Sequence, residues 1–379
     1  MTGTQFLNRT FLAGAILVIA SQAASAQSWS VSLKGIGTFS SPRISDLNGD
    51  GVGDVVLGAG REEFQSCDSA VFALDGATGK MLWNVGAIDQ VYGSAALEDV
   101  TGDGVDDVFI GGRSAELICI NGRSGQVIWR FDKKLGKDKW YGFYNAQFIR
   151  DQNGDGVRDI LTSNGGNVWA APHDEKKRPP GTLVVISSVD GKLLAKAKMP
   201  DQRETYMSVS ALPREGGEDY DIIFGTGGET VAGNLYVGTL SGVMRGDLSG
   251  AKLLDSSPKN GYVAPAVWVD VTGDGVHDIV ANAVEGKLVA FDGRSHAPLW
   301  NVKVPGTEAY SSIAIGKFTE DAVPDFFVSY AVGVWPTLEW SKQVLVNGSD
   351  GKILYTDSLG FYQTSTPVVI DLDNDGRDE

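Results

Sequence analysis

Residues 46–54, Asp-Leu-Asn-Gly-Asp-Gly-Val-Gly-Asp, place side-chain oxygens at the first, third, fifth and ninth positions: Asp46, Asn48, Asp50 and Asp54. The backbone carbonyl of Val52 stands at the seventh. Oxygen donors alternating along a short loop, with glycine at the sharp turn, can wrap one hard cation, and an all-oxygen set selects calcium over zinc or copper. The pattern recurs as Asp99, Thr101, Asp103, Val105 and Asp107, and again as Asp151, Asn153, Asp155, Val157 and Asp159. A fourth complete copy is Asp270, Thr272, Asp274, Val276 and Asp278, and a fifth is Asp371, Asp373, Asp375, Arg377 and Glu379. Carboxylates crowded this closely repel one another unless a cation holds them, so the spacing predicts four to five bound calcium ions. An EF-hand is excluded, because it needs a twelve-residue loop between helices, whereas these loops run straight into apolar segments such as Val55-Val56-Leu57. Two further frames keep the spacing and lose the chemistry. Lys317 takes the first position of 317–325 and Arg214 sits near Asp221 in 213–221, so both are expected to be metal-free.

The loops return about every 50 residues, the length of a four-stranded propeller blade. In the first repeat, short apolar runs flank the Asp loop, and 75–79, Asp-Gly-Ala-Thr-Gly, has the chemistry of a hairpin turn. That turn recurs at 121–125, 292–296 and 347–351. Trp83, Trp129, Trp300 and Tyr355 each follow it by four residues, on the outermost strand, where packing between neighbouring blades is expected. An aromatic also precedes each innermost strand: Phe39, Tyr92, Tyr144, Tyr206, Tyr262 and Tyr310 should surround the mouth of the central channel. The expectation is an all-β, single-domain propeller over 27–379 with seven four-stranded blades, eight being possible, and the last blade incomplete.

Two family resemblances follow from these motifs. The Asp loop running into Val55-Val56-Leu57-Gly58-Ala59-Gly60 resembles the FG-GAP repeats of integrin α-chain propellers, which implies calcium in the loops. The stretch 73–83, Ala-Leu-Asp-Gly-Ala-Thr-Gly-Lys-Met-Leu-Trp, is similar to the blade motif of quinoprotein-type (PQQ-like) propellers. That likeness would imply a pyrroloquinoline quinone (PQQ) dehydrogenase, but such enzymes set an adjacent Cys-Cys pair against the cofactor. Here the two cysteines, Cys67 and Cys119, are far apart, so PQQ is not expected. A calcium-dependent polysaccharide-active enzyme is the other catalytic alternative, and His173 is the one histidine placed to act as an acid or base.

Residues 1–26 carry Arg9, an apolar run from Phe11 to Ala20 and a small-residue exit at Ala24-Ser25-Ala26, which reads as a signal peptide. Export to the periplasm or outside the cell would follow, with no membrane span in the remainder. Cys67 and Cys119 are read as separate thiols, although export permits a disulfide. The net charge of −16 excludes a general nucleic-acid binder. Long insertions at 133–144, 164–181 and 331–342 fall on the face opposite the Asp loops and carry Trp140, Tyr141, Phe143, Trp169, Trp335 and Trp340. Loops on a rigid scaffold concentrate binding residues, so a protein or glycan partner is expected there; the other reading is that the loops fold over the propeller and cap it. Because the sequence stops at the ninth position of the fifth loop, it is expected to continue past Glu379. The function expected is that of an exported binding, adhesion or scaffold module.

Overall fold

Residues 28–134, 139–361 and 366–379 are described by a computed structural model of the chain. The segment read as a signal peptide and part of the 133–144 insertion lie outside them. The alternation of short apolar runs with Gly/Asp turns produces six antiparallel sheets, each sequential in the chain and most of four strands. Blade 1 consists of Arg43–Ser45, Asp54–Gly58, Cys67–Leu74 and Met81–Ala87, from inner to outer strand. Blade 2 follows with Ala96–Glu98, Asp107–Gly111, Leu117–Ile120 and Val127–Arg130. Blade 3 is Gly142–Ile149, Asp159–Gly165, Thr182–Ile186 and Leu193–Lys198. Blade 4 is Ser210–Pro213, Tyr220–Gly225, Gly233–Thr239 and Lys252–Ser257, and blade 5 is Val267–Val269, Asp278–Ala283, Lys287–Phe291 and Pro298–Lys303. In blade 6 two short segments, Thr307–Glu308 and Ala314–Gly316, both pair with Asp325–Val334, followed by Thr337–Val346 and Ile353–Leu359. Residues 366–379 lie against the start of blade 6, where the Asp378 N–H donates to the Lys317 carbonyl, and begin a partial seventh unit.

Second and third strands are buried on both faces, as in Asp107–Gly111 and Thr182–Ile186, because each sheet is sandwiched between neighbours. The core is therefore a series of apolar layers between blades. One layer joins Val56, Val71 and Val85 of blade 1 to Val108, Ile110 and Ile118 of blade 2, and another joins Val280 and Leu288 to Phe326 and Val344. The 331–342 insertion is not an irregular loop: it is the extended end of the hairpin formed by Asp325–Val334 and Thr337–Val346. Hydrogen bonding between the strands absorbs residues whose Gly, Pro and Trp content reads as a loop.

The outer-strand tryptophans dock one blade on the next. Trp83 Nε1 donates to the Gly122 carbonyl at 2.7 Å, Trp129 to Ser188 at 2.8 Å and Trp300 to Gly348 at 2.8 Å, each in the turn of the following blade. Their rings lie on the turn's last glycine. A Cβ at Gly125 would approach Trp83 to 2.5 Å, and one at Gly191 would approach Trp129 to 2.7 Å. Trp29 repeats both contacts on blade 1, through Gly76 and Gly79. Tyr355, at the equivalent register opposite Leu345, is instead 54 % exposed.

Candidate functional site

Two sets of residues carry chemistry, on opposite faces. On the first face, each Asp loop joins the inner and second strands and lies beside the turn between the third and outer strands. The first-position carboxylates organise the loops: Asp46 accepts N–H bonds from Gly49 at 2.7 Å, Asp50 at 3.2 Å and Gly51 at 2.9 Å. Asp99, Asp151 and Asp270 do the same in their loops. Those bonds favour the ionised form. The Gly104 N–H holds Asp99, and the Gly156 N–H holds Asp151, below the ordinary carboxylate range; at Asp270 burial opposes the shift but the Gly275 and Gly273 N–H groups prevail. Positions three and five (Asn48 and Asp50, Thr101 and Asp103, Asn153 and Asp155, Thr272 and Asp274) are exposed, so these donors face outward.

The ninth-position carboxylates are set deeper than the others. Asp54, Asp107, Asp159 and Asp278 are completely buried. Asp54 accepts from the Leu47 and Asn48 N–H groups at 2.9 and 3.2 Å, from Asn48 Nδ2 at 3.4 Å, and from the Gly76 N–H across the turn at 2.8 Å. Asp107 is bound likewise by Val100, Thr101, Gly122 and Asn121. A carboxylate has about four lone-pair sites, so both are filled by the protein. Asp278 accepts from Val271, Thr272 and Gly293. These carboxylates clamp the Asp loop to the turn. The clamp requires glycine opposite: a Cβ at Gly76, Gly122, Gly293 or Gly348 would stand 1.9 Å from the carbonyl of the loop's eighth residue. Blade 3 has Ser188 there. Asp159 keeps one bond, from the Gln152 N–H at 2.6 Å, while its buried Oδ1 has no partner, and burial pushes its carboxyl up to about 6.

In the fifth loop, ligand oxygens of Asp371, Asp373 and Asp375 lie within 4.8 Å of one another. The Glu379 carboxylate accepts the Leu372 N–H at 2.7 Å, and its carbonyl accepts the Ile370 N–H at 3.2 Å. This donor set, three carboxylates and a free carboxylate oxygen, fits a hard divalent cation. The two degenerate frames differ from the complete loops and from each other. In 213–221 the Arg214 guanidinium bonds Asp221 at 2.6 and 2.8 Å, whereas in 317–325 the Lys317 backbone N–H donates outside the frame, to Asp378 at 2.7 Å.

On the opposite face, the 164–181 insertion roofs the channel mouth. Trp169 stacks on Phe64 of blade 1 with ring centroids 3.8 Å apart, and the His173 N–H and Nδ1 bond Thr230 of blade 4 at 3.2 and 2.9 Å. Arg178 anchors the roof through Glu204 at 2.9 Å and the Tyr206 hydroxyl at 3.2 Å; its side chain is 9 % exposed and that of Glu204 is wholly buried. Capping is thus the arrangement observed, and His173 is a fastening rather than a free acid or base. Beneath it Tyr92, Tyr144 and Tyr206 form a row with centroid separations of 5.3 and 5.6 Å. Tyr310 packs against this cluster, but Tyr262 does not join it: its buried ring turns between blades and its hydroxyl donates to Asp255. Phe39 is 73 % exposed. Trp140 and Phe143 pack against Phe131, and Trp169, Trp335 and Trp340 remain exposed. Cys67 and Cys119 are separate buried thiols, and burial pushes the Cys119 thiol up.

Sequential four-stranded sheets docked by tryptophan on glycine define a β-propeller of the PQQ-like class. A family model described as outer membrane protein assembly factor BamB matches residues 44–131 and 67–329, and the chain belongs to that family. Protein FAM234B of Homo sapiens is 22 % identical over 91 % of this chain and 56 % of its own length, so the chain spans just over half the length of the curated relatives it matches. Among solved structures, Saccharomyces cerevisiae Sqt1 superposes with a TM-score of 0.52 at 13 % identity, covering 88 % of this chain and 78 % of Sqt1. BBS1N, solved in complex with ARL6DN, gives 0.50 at 10 % identity over 87 % and 86 %. These likenesses establish the fold. Among the described residues, no helix is long and apolar enough to cross a membrane.

Proposed function

We propose that this chain is an exported calcium-binding β-propeller, related in its loops to the FG-GAP repeats, that serves as a rigid binding or scaffold module for a protein or glycan at its roofed face. One propeller domain over 27–379 would follow a signal peptide at 1–26. The observation that carries the reading is the recurrence of outward-facing oxygen donors: Asp46, Asn48 and Asp50, their three equivalents, and Asp371, Asp373 and Asp375. Each ion would be held by positions one, three and five and by the carbonyl at seven. Asp159 and Glu379 would add an oxygen in their loops, while Asp54, Asp107 and Asp278 brace the loop from beneath. Calcium would supply charge neutralisation between strands and no reaction step. The roofed face suits recognition because the 164–181 loop and the tip of the 325–346 hairpin carry exposed aromatics on a fixed frame, and a neighbour of the same fold was solved with a partner, ARL6DN. The test is thermal melting with calcium and with a chelator. Saturating calcium at about 100 times Kd should stabilise by about 2.7 kcal/mol per site, and identical melting in the two conditions would refute the calcium reading.

A further inference from the structure

The row of rings at the channel mouth is interrupted at one place. Tyr92, Tyr144 and Tyr206 follow one another at centroid separations of 5.3 and 5.6 Å. Phe39, the blade 1 member of the series, makes no ring contact among the described residues and is 73 % exposed. Between Phe39 and Tyr92 lies a depression of about 170 Å³ that both residues line. It is smaller than the roughly 300–1,000 Å³ of pockets for drug-sized ligands and has room for a single ring. Main-chain bonds hold its walls: the Gly37 N–H donates to the Gly60 carbonyl at 2.9 Å, the Gly60 N–H returns a bond at 3.0 Å, and the Val91 N–H donates to the Ala59 carbonyl at 2.9 Å. The depression is therefore preformed.

The lining decides what fits. Besides the two rings, the buried Ala59 and Val91 contribute apolar surface. The polar side chains at the edge are already used: the Thr38 hydroxyl donates to the Gly58 carbonyl and the Gln90 amide to that of Arg61, which leaves little to receive the hydroxyls of a sugar. Arg61 is the one charged residue of the lining, and among the described residues its guanidinium has no ion-pair partner. Its sequence neighbours are engaged elsewhere, Glu62 with the Gln65 amide at 3.5 Å and Glu63 with Arg113 at 2.6 Å. A ring set between Phe39 and Tyr92 would extend the row, since aromatic pairs are favourable at centroid separations of about 4.5–7 Å. A carboxylate beside that ring would pair with Arg61. Aromatic anchors seated in pockets, with arginine close by, are what concentrate affinity at protein interfaces.

We infer that the depression between Phe39 and Tyr92 receives an aromatic side chain of a protein partner, with an acidic residue of that partner beside it on Arg61. The inference rests on the roofed face being the binding face. Saturation-transfer NMR on the calcium-loaded full chain tests it with four probes: the capped peptide Ser-Glu-Phe-Glu-Ser, its analogues with Ala for Phe or Gln for both Glu, and tri-galacturonate. The first peptide should bind saturably, the Ala analogue should not bind, and the Gln analogue should bind at least fivefold more weakly. Arg61→Gln should weaken the acidic peptide at least fivefold and leave the Gln analogue within twofold. Gly37→Leu, at a lining residue where a Cβ meets nothing within 4 Å, should fill the depression and weaken the peptide at least tenfold. Lys352→Gln, the same charge change in a turn on the opposite face, should leave binding within twofold. If Gly37→Leu does not fold, Phe39→Ala, at a residue 73 % exposed, takes its place and should weaken binding at least fivefold. No saturable peptide binding, equal binding of the Ala analogue, unchanged binding in Gly37→Leu, or binding of tri-galacturonate in place of the peptide overturns the inference. A calcium-dependent melting shift that persists in any of those cases leaves the calcium reading standing and removes the aromatic site alone.

Discussion

The two faces of this propeller are built by different rules. On the Asp-loop face blades 1, 2 and 5 solve their problem locally: a carboxylate nine residues into a loop binds the N–H groups beside it and one glycine N–H in the adjacent turn. On the roofed face the contacts are long-range, with 164–181 reaching Phe64 in blade 1, Glu204 at the entry to blade 4 and Thr230 within it. A repeated local solution tolerates loss of one copy, whereas a single anchored roof concentrates its stability in a few residues.

That contrast predicts the ranking of damage. Arg178→Ala should cost the most, about 3–5 kcal/mol, because it strands the fully buried Glu204 carboxylate. Chemical denaturation measures it, and adding Glu204→Gln to the same chain should recover part of the loss; no recovery would mean the arginine acts by packing alone. Gly122→Ala should follow at about 1–3 kcal/mol, since its Cβ would stand 1.9 Å from the Asp106 carbonyl. The matching substitution Ser188→Ala in blade 3, where a side chain is already accommodated, should cost less, and the reverse order would break the account of the clamp. Trp129→Phe, which keeps the ring and removes the 2.8 Å bond to the Ser188 carbonyl, should cost about 1 kcal/mol. Trp169→Ala should be mildest, about 0.5–1.5 kcal/mol by equilibrium unfolding, because its stack on Phe64 is largely solvent-exposed.

The fold was legible because its determinants are local and periodic. The 46–54 loop, the 75–79 turn and Trp83 announce strand, turn and docking residue at fixed offsets, and the docking of Trp83, Trp129 and Trp300 follows from them. The division of labour within the loops was not legible, since spacing alone cannot tell an outward Asp50 from an inward Asp54. A signal did exist in the glycine that opens the turns, at Gly76, Gly122, Gly293 and Gly348, whose N–H the ninth carboxylate takes. The buried Glu204 and its partner Arg178 stand apart in sequence in ordinary loop contexts, and only the closing of the roof onto the entry to blade 4 brings them together. Tyr262 shares the spacing of the mouth tyrosines and departs from them because Asp255 offers its hydroxyl a buried partner.

The most direct test of the central claim, that the repeated loops are calcium sites, is a count of bound calcium by elemental analysis after dialysis, in the parent chain and in Asp103→Ala and Asp321→Ala. The account predicts four to five ions in the parent, one fewer in Asp103→Ala, which loses a fifth-position donor, and an unchanged count in Asp321→Ala, from the frame where Lys317 replaces the first aspartate. A parent chain that retains no calcium, or an Asp103→Ala chain that retains the full count, would contradict it.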